Sequence, residues 1–291
     1  MKKIVLVLAV LLVSVSACKN PFLKKMLVEE EKGKTVPEKP QAPFIEGGAL
    51  LILSPDKLSI QVKAVTSDGS AIAVEGCTET ELTSGAETVL HAIGTTVILK
   101  GNIIKLYCGS NQLTALNVQG LPDLEKLYCY NNQLTALNVQ GCTALKELYC
   151  GSNQLTALNV QGLTALQWLD CYNNQLTALN VQGLTALKEL WCNNNQLTAL
   201  NVQGLTALER LDCYGNRLTA DAFKKLFDDL PVRAEGNNAK CILYIEQTGV
   251  TEGNHTDFTA PSDLADAFNN AKNNKKWKMY KLNGSGPEVE I

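Results

Sequence analysis

The chain has 291 residues, a formal net charge of -3 and an ordinary share of apolar residues. That length holds one extended domain or two to three small ones, and the charge balance shows no bias toward nucleic acid. Only two histidines are present, His91 and His255, which leaves little for the general-base and zinc chemistry that relies on imidazole.

Lys2 and Lys3 precede a continuous apolar run from Ile4 to Val13, followed by the small residues Ser14, Ser16 and Ala17. The run is too short for a membrane span of ~20 residues, and its flanks make 1–17 an export signal. The stretch Val15-Ser16-Ala17-Cys18 resembles a bacterial lipobox, the signal whose cysteine is acylated and becomes the first mature residue. The resemblance implies a lipid on Cys18, each buried methylene of which contributes about 0.8 kcal/mol to membrane attachment. Lys19 stands where an aspartate marks inner-membrane retention in some bacteria, so the implied location is the outer membrane or the cell surface. Residues 18–44 read as a flexible tether. The stretch Glu29-Glu30-Glu31-Lys32-Gly33-Lys34 is charged, and Pro37, Pro40 and Pro43 keep the chain extended.

Residues 45–102 read as a β-rich cap. Leu50 to Leu53, Leu58 to Val62 and Ala71 to Val74 have strand character, and Ser67-Asp68-Gly69-Ser70 is a turn between the last two. Val97 to Leu99 and Ile103 to Leu106 flank a further turn at Lys100-Gly101-Asn102, which leads into the repeats.

Self-similarity dominates 103–220. The ten residues NQLTALNVQG begin at Asn111, Asn132, Asn153, Asn174 and Asn195, a period of 21. Leu106, Leu127, Leu148, Leu169, Leu190 and Leu211 form one ladder, and Cys108, Cys129, Cys150, Cys171, Cys192 and Cys213 form another two residues on. Two residues is the strand period, so both ladders point inward from short parallel strands. One unit cannot bury these side chains, but stacked coils can. Asn111 and its equivalents mark the turn after the strand, where an amide can pair with free backbone groups and with the amide of the next coil. Gly120, Gly141, Gly162, Gly183 and Gly204 mark the opposite bend, where a positive φ is expected.

The unit is similar to the leucine-rich repeat, L-x-x-L-x-L-x-x-N/C-x-L, with cysteine in place of the second strand leucine. It looks most like the short, cysteine-containing version in surface lipoproteins of spirochaetes such as treponemes. The resemblance implies a curved solenoid with a concave parallel β-sheet, and a role in protein recognition that extends in some members to host attachment. The ladder cysteines read as small apolar fillers, because neighbours about 4.8 Å apart on parallel strands match disulfide geometry poorly. Cys142 sits in a leucine position. Cys77 and Cys241 lie outside the repeats, where pairing between them stays open, and the absence of C-x-x-C argues against a metal.

Within each unit the strand positions between buried residues vary. Before the leucine stand Lys105, Lys126, Glu147, Trp168, Glu189 and Arg210; after it Tyr107, Tyr128, Tyr149, Asp170, Trp191 and Asp212; after the cysteine Gly109, Tyr130, Gly151, Tyr172, Asn193 and Tyr214. Strand alternation turns these toward solvent on the concave side. The expected partner-binding residues are Tyr107, Tyr128, Tyr130, Tyr149, Trp168, Tyr172, Trp191 and Tyr214, because aromatic side chains give contact area at modest entropy cost. Stacking of tyrosines along the sheet is the structural alternative.

Residues 221–291 read as a small α+β domain. Ala220 to Leu230 has helical spacing and ends at Pro231. Ile242 to Ile245 is a strand, Ser262 caps a second helix, and Trp277 to Leu282 closes as a strand. This part also resembles, less closely, the region that follows such repeats in treponemal lipoproteins. Glu252, His255 and Asp257 read as a polar loop rather than an acid–base group. In Lys275 to Lys281, alternation buries Trp277 and Met279 and leaves the lysines in solvent, against a nucleic-acid site. No G-x-S-x-G, H-E-x-x-H or phosphate-binding glycine loop is present. The sequence therefore points to a lipid-anchored envelope protein, not an enzyme and without a cofactor, that binds a protein, such as a host extracellular protein. The alternative is a structural envelope lipoprotein with no specific partner.

Overall fold

A computed structural model of the chain describes residues 43–249, 251–284 and 286–291. The export signal, Cys18 and nearly all of the tether lie outside the described residues.

The first described strands are β1 (Gly48–Leu53), β2 (Ser59–Thr66), β3 (Ile72–Glu75), β4 (Glu81–Leu82), β5 (Glu87–His91) and β6 (Thr96–Lys100). The turn at Asp68-Gly69 forms, with Asp68 Oδ1 accepting from the Ser70 N–H at 3.0 Å and Gly69 at φ +75°. It does not close a hairpin, because β2 and β3 lie in different sheets. The strands clamp the first repeat coil from two sides. That coil holds β7 (Ile103–Tyr107) and β8 (Leu113–Asn117). β2 pairs antiparallel with β7, and β1 pairs antiparallel with β8. Both edges that an open solenoid would expose are thereby covered.

Each later coil places its L-x-C segment in register with the one before. β9 (Lys126–Tyr128), with β10 (Ala136–Asn138) behind it, is followed by β11 (Glu147–Tyr149), β12 (Trp168–Asp170), β13 (Glu189–Trp191) and β14 (Arg210–Asp212). Leu106, Leu127, Leu148, Leu169, Leu190 and Leu211 are paired one to the next along parallel strands. These leucines and the cysteine ladder are at most 1 % exposed, which makes the interior a single column. At about 1.5–3 kcal/mol for each fully buried leucine, stacking supplies what an isolated coil lacks.

The asparagine ladder holds the coils together. Asn153 Oδ1 accepts from the Leu134 N–H at 3.0 Å, and its Nδ2 donates to the carbonyls of Cys129 at 3.1 Å and Cys150 at 3.0 Å. Asn132, Asn174, Asn195 and Asn216 repeat this pattern. The side chain thus ties its own coil to the preceding one through backbone groups. The amide-to-amide pairing expected between coils does not form, because both ends of each amide are spent on main chain. At the opposite bend, Asn117, Asn138, Asn159, Asn180 and Asn201 each accept from the N–H two residues on. Gly141, Gly162, Gly183 and Gly204 there have φ near +82°. Gly120 does not. Its need is space, since a Cβ would meet the Ile45 carbonyl oxygen at 1.8 Å.

After the repeats the solenoid continues. Helix α1 (Ala220–Asp229) starts at Thr219, whose hydroxyl accepts from the Ala222 N–H at 3.3 Å, and it buries Phe223, Leu226 and Phe227. Then β15 (Lys240–Glu246) pairs parallel with β14, setting Cys241 beside Leu211. Helix α2 (Ser262–Asn273) has Pro261, not Ser262, before its first turn. β16 (Lys278–Asn283) pairs parallel with β15, and β17 (Glu288–Glu290) pairs antiparallel with β16 at the sheet's edge. Trp277 and Met279 are buried, as alternation requires.

Cys77 and Cys241 are both free thiols, as are the ladder cysteines and Cys142. Burial pushes the thiols of Cys108 and Cys142 up to about 12. Among the described residues no helix is long and apolar enough to cross a membrane, and no cluster of side chains could hold a metal ion.

Candidate recognition face

The outward positions of the repeat strands form three columns on one face of the parallel sheet. In the column after the leucine, Tyr107, Tyr128 and Tyr149 contact in series. Their ring centroids lie 4.8 Å and 4.5 Å apart, tilted toward edge-on. The column before the leucine anchors them. Glu147 receives the Tyr128 hydroxyl at 2.5 Å and the Lys126 ammonium at 2.7 Å. Burial works against the Glu147 carboxylate, but these two donors outweigh it and hold its pKa below the usual range. The tyrosines therefore stack, and each stays half-buried with one edge in solvent.

In the column after the cysteine, glycine and tyrosine alternate for a packing reason. A Cβ on Gly109 would meet Tyr130 Cζ at 3.1 Å, and one on Gly151 would meet Tyr172 Cδ1 at 2.4 Å. Each ring lies over the glycine of the preceding coil. Tyr130 is the most open aromatic residue of the face at 44 % exposed; Tyr172 and Tyr214 are half-buried.

The expectation that all outward positions face solvent is corrected at four of them, one being Gly151 beneath the Tyr172 ring. Asp170, Asp212 and Asn193 are also buried, because their short side chains sink between larger neighbours, Tyr149 and Trp191 for Asp170 and Trp191 and Ile242 for Asp212. Asp212 has company there. The Arg210 guanidinium clamps it with Nη2–Oδ2 at 2.8 Å and Nε–Oδ1 at 3.1 Å, while lying 4.7 Å from the Trp191 ring centre. Burial still holds the Asp212 pKa above the usual carboxylate value, with Arg210 opposing. Asp170 receives only the Tyr172 N–H at 3.3 Å and has no ion-pair partner among the described residues. Burial pushes its carboxyl up to about 7, the Tyr172 N–H opposing and the Asp212 charge adding to the rise. Sequence reasoning missed this residue; the signal was an aspartate inside a column of tyrosine and tryptophan.

Trp168 lies in the first column under Lys188, whose ammonium is 5.7 Å from the ring centre, and Trp191 lies in the second. The sequence-predicted aromatic residues thus share one face but not one cluster. The Tyr107–Tyr149 stack occupies the first coils, and the Trp168–Trp191 pair flanks Asp170 further on.

The loop with Glu252, His255 and Asp257 is structural. Glu252 accepts from the N–H groups of Gly215 at 2.9 Å, Ile245 at 2.7 Å and Asn254 at 3.1 Å. Asn254 takes the ladder role for the last coil, accepting from the Leu218 N–H at 2.9 Å and donating to the carbonyls of Cys213 and Leu243.

The family model described as leucine rich repeats in two copies matches residues 122–164 and 164–205. No curated protein matches the sequence. Among solved structures, a leucine-rich-repeat protein of Leptospira interrogans is 24% identical, with a TM-score of 0.43 over 60% of this chain and 48% of that one. The functional domain of InlJ from Listeria monocytogenes, which includes a cysteine ladder, is 29% identical, with a TM-score of 0.31 over 49% of this chain and 40% of that one. The chain thus spans about half or less of the length of these neighbours. With the repeat matched in sequence over 122–205 and its coils stacked in register on parallel strands, this part of the chain carries leucine-rich repeats and has their solenoid fold.

Proposed function

We propose that the chain is an exported lipoprotein, anchored through Cys18 at the outer membrane or cell surface, that binds a protein partner through the aromatic face of its repeat sheet. Host attachment is the biological setting this reading favours, in keeping with the treponemal type of repeat, and it assigns no enzymatic role. The observation that carries it is a contrast within each coil. The leucines, valine and asparagines of the invariant NQLTALNVQG segment supply core, bends and inter-coil hydrogen bonds, and its threonine and alanine (Thr156 and Ala157, with their equivalents in the next two coils) are exposed small residues. The face instead sets rings of differing identity at equivalent positions, with edges left in solvent. Half-exposed tyrosine and tryptophan on a rigid sheet suit recognition, because little entropy is lost on binding.

The test is binding of the full-length protein to a panel of purified host extracellular proteins by calorimetry, repeated with Tyr130→Ala and Trp191→Ala together. The expected result is one or more ligands whose affinity drops at least about tenfold in the double variant, since anchor residues typically contribute more than ~1 kcal/mol each. Unchanged affinity in a variant with a wild-type circular dichroism spectrum would remove the face from the function. Protease shaving of intact cells, with loss of the protein from the surface expected, tests the location separately.

A further inference from the structure

The face buries two aspartates beside the Trp191 ring, and among the described residues only one is paired with a cation. In the column Tyr149, Asp170, Trp191, Asp212, each aspartate leaves a gap beside the Trp191 ring. The gap at Asp212 is filled from within the chain. Arg210, two residues earlier on the same strand, folds its guanidinium over the Trp191 ring and onto the carboxylate. The residue two before Asp170 is Trp168, which carries no charge. The Asp170 gap is therefore lined by Tyr149, Trp168, Trp191 and Glu189 with no cation among its lining residues, the Lys188 ammonium lying over the Trp168 ring at 5.7 Å. It forms a small cavity of about 10 Å³, at the lower limit for one water-sized group, and it opens to solvent. The Trp191 Nε1–H is buried without an acceptor.

We propose that the Asp170 notch receives the cationic head of a lysine or arginine side chain of the bound protein, which occupies it as Arg210 occupies the Asp212 notch. The assignment rests on the recognition face proposed above and names the chemistry of its partner. A cation in the notch pairs with Asp170, gains the faces of the tryptophan and tyrosine rings, and meets a second carboxylate at Glu189. A buried carboxylate without a counter-charge is otherwise costly.

The test uses small cations rather than a partner, so that its outcome is independent of whether a protein ligand is found. The chain has three tryptophans, and their indole N–H groups give three resolvable nitrogen–proton signals. The Trp277 Nε1–H donates to the Pro231 carbonyl at 2.7 Å in the C-terminal part and serves as an internal reference. Butylguanidinium and butylammonium are titrated at pH 8, with neutral butylurea as control. The expected result is a saturable shift of the Trp191 and Trp168 signals with a dissociation constant on the order of 10 mM, reasonable for a fragment of about eight non-hydrogen atoms. Trp277 stays fixed and butylurea has no effect. Asp170→Asn keeps the shape of the notch and should weaken the cation by about tenfold or more. If only one of the two cations binds, it identifies the side chain. No saturable shift, an equal response to butylurea, or undiminished affinity in Asp170→Asn would overturn the assignment. Any of these would still leave the aromatic face open to the partner-binding test above.

Discussion

Replacing Asp170 with asparagine should stabilise the protein, and only where the carboxylate is ionised. Asp170 is 7 % exposed, lacks an ion-pair partner, and has its carboxyl raised from 3.8 to about 7 by burial. The neighbouring strands offer Glu147 and Tyr149 on one side and Glu189 on the other, with Asp212 and its guarding Arg210 one strand further. Lys126 is already paired with Glu147, and Lys188 lies over the Trp168 ring at 5.7 Å without pairing with Asp170. With the folded value raised, the native state keeps a proton that the unfolded chain releases between about pH 4 and 7. The contribution of this group to stability is therefore full below the unfolded value and lost as pH climbs through about 7. A shift of about three units at ~1.4 kcal/mol each gives a ceiling of ~4 kcal/mol at pH 8, and relaxation around the notch lowers the expected gain to about 2–4 kcal/mol. At pH 4.5, where the folded carboxyl is neutral and the unfolded one mostly ionised, the same linkage leaves about 1 kcal/mol or less. Urea unfolding of wild type and Asp170→Asn at the two pH values, compared at equal m-value, measures both numbers. A variant no more stable than wild type at pH 8, or one with the same gain at pH 4.5, would refute the claim that Asp170 is a buried, unpaired acid.

Other consequences follow from the same packing. Asn153→Ala removes one acceptor and three donor contacts to buried backbone groups; at about 1–3 kcal/mol per orphaned group it should cost ~3–6 kcal/mol in urea unfolding. Asn159→Ala, at an exposed bend where only the Gln161 N–H is served at 3.1 Å, should cost less than ~1 kcal/mol. Gly151→Ala places a methyl 2.4 Å from the Tyr172 ring and 2.8 Å from Asp170 Oδ1. It should cost about 1–3 kcal/mol and swing Tyr172 into solvent, read from its ring signals by nuclear magnetic resonance. The ladder thiols and Cys142 are buried, and the thiols of Cys108 and Cys142 are pushed up to about 12. A thiol-specific chromogenic reagent at pH 8 should therefore leave them unreacted in the folded protein and titrate them in urea; rapid native reaction would contradict a dry cysteine column.

The coils were readable because one period, 21 residues, sets both the inward ladders and the strand register. Reading failed where the period breaks. The segment from Lys240 continues the solenoid, but Cys241 stands in a leucine place and Leu243 in a cysteine place, so the unit no longer resembles its neighbours. Asn254 serves Leu218 across 36 residues, where each ladder asparagine within the repeats serves a leucine 19 residues away. No spacing rule anticipates that. The N-terminal strands were visible as alternating apolar runs, yet their split between two sheets depends on contacts with the first coil. On the face, alternation gave the direction of each side chain but not its depth. Depth depends on the size of the neighbours in the coils on either side, which is why Asp170, Asp212 and Asn193 lie buried among residues expected in solvent.

Depth also separates the two meanings of an aromatic face. The Tyr107–Tyr149 stack serves the sheet, since its rings touch one another and its hydroxyl and ammonium anchors converge on Glu147. Stability alone would fill the remaining column in the same way, with a fourth ring at position 170. Instead the chain buries an acid there, whose ionised form weakens the fold at neutral pH, next to an indole N–H that has no acceptor. One coil pair further on it neutralises the equivalent acid with its own arginine. A fold that solves the problem at Asp212 and leaves it unsolved at Asp170 has given up stability at one place on the face, and such losses collect where binding needs a group held ready but unsatisfied. The unfilled notch, more than the number of tyrosines, marks where a partner's charge would be read.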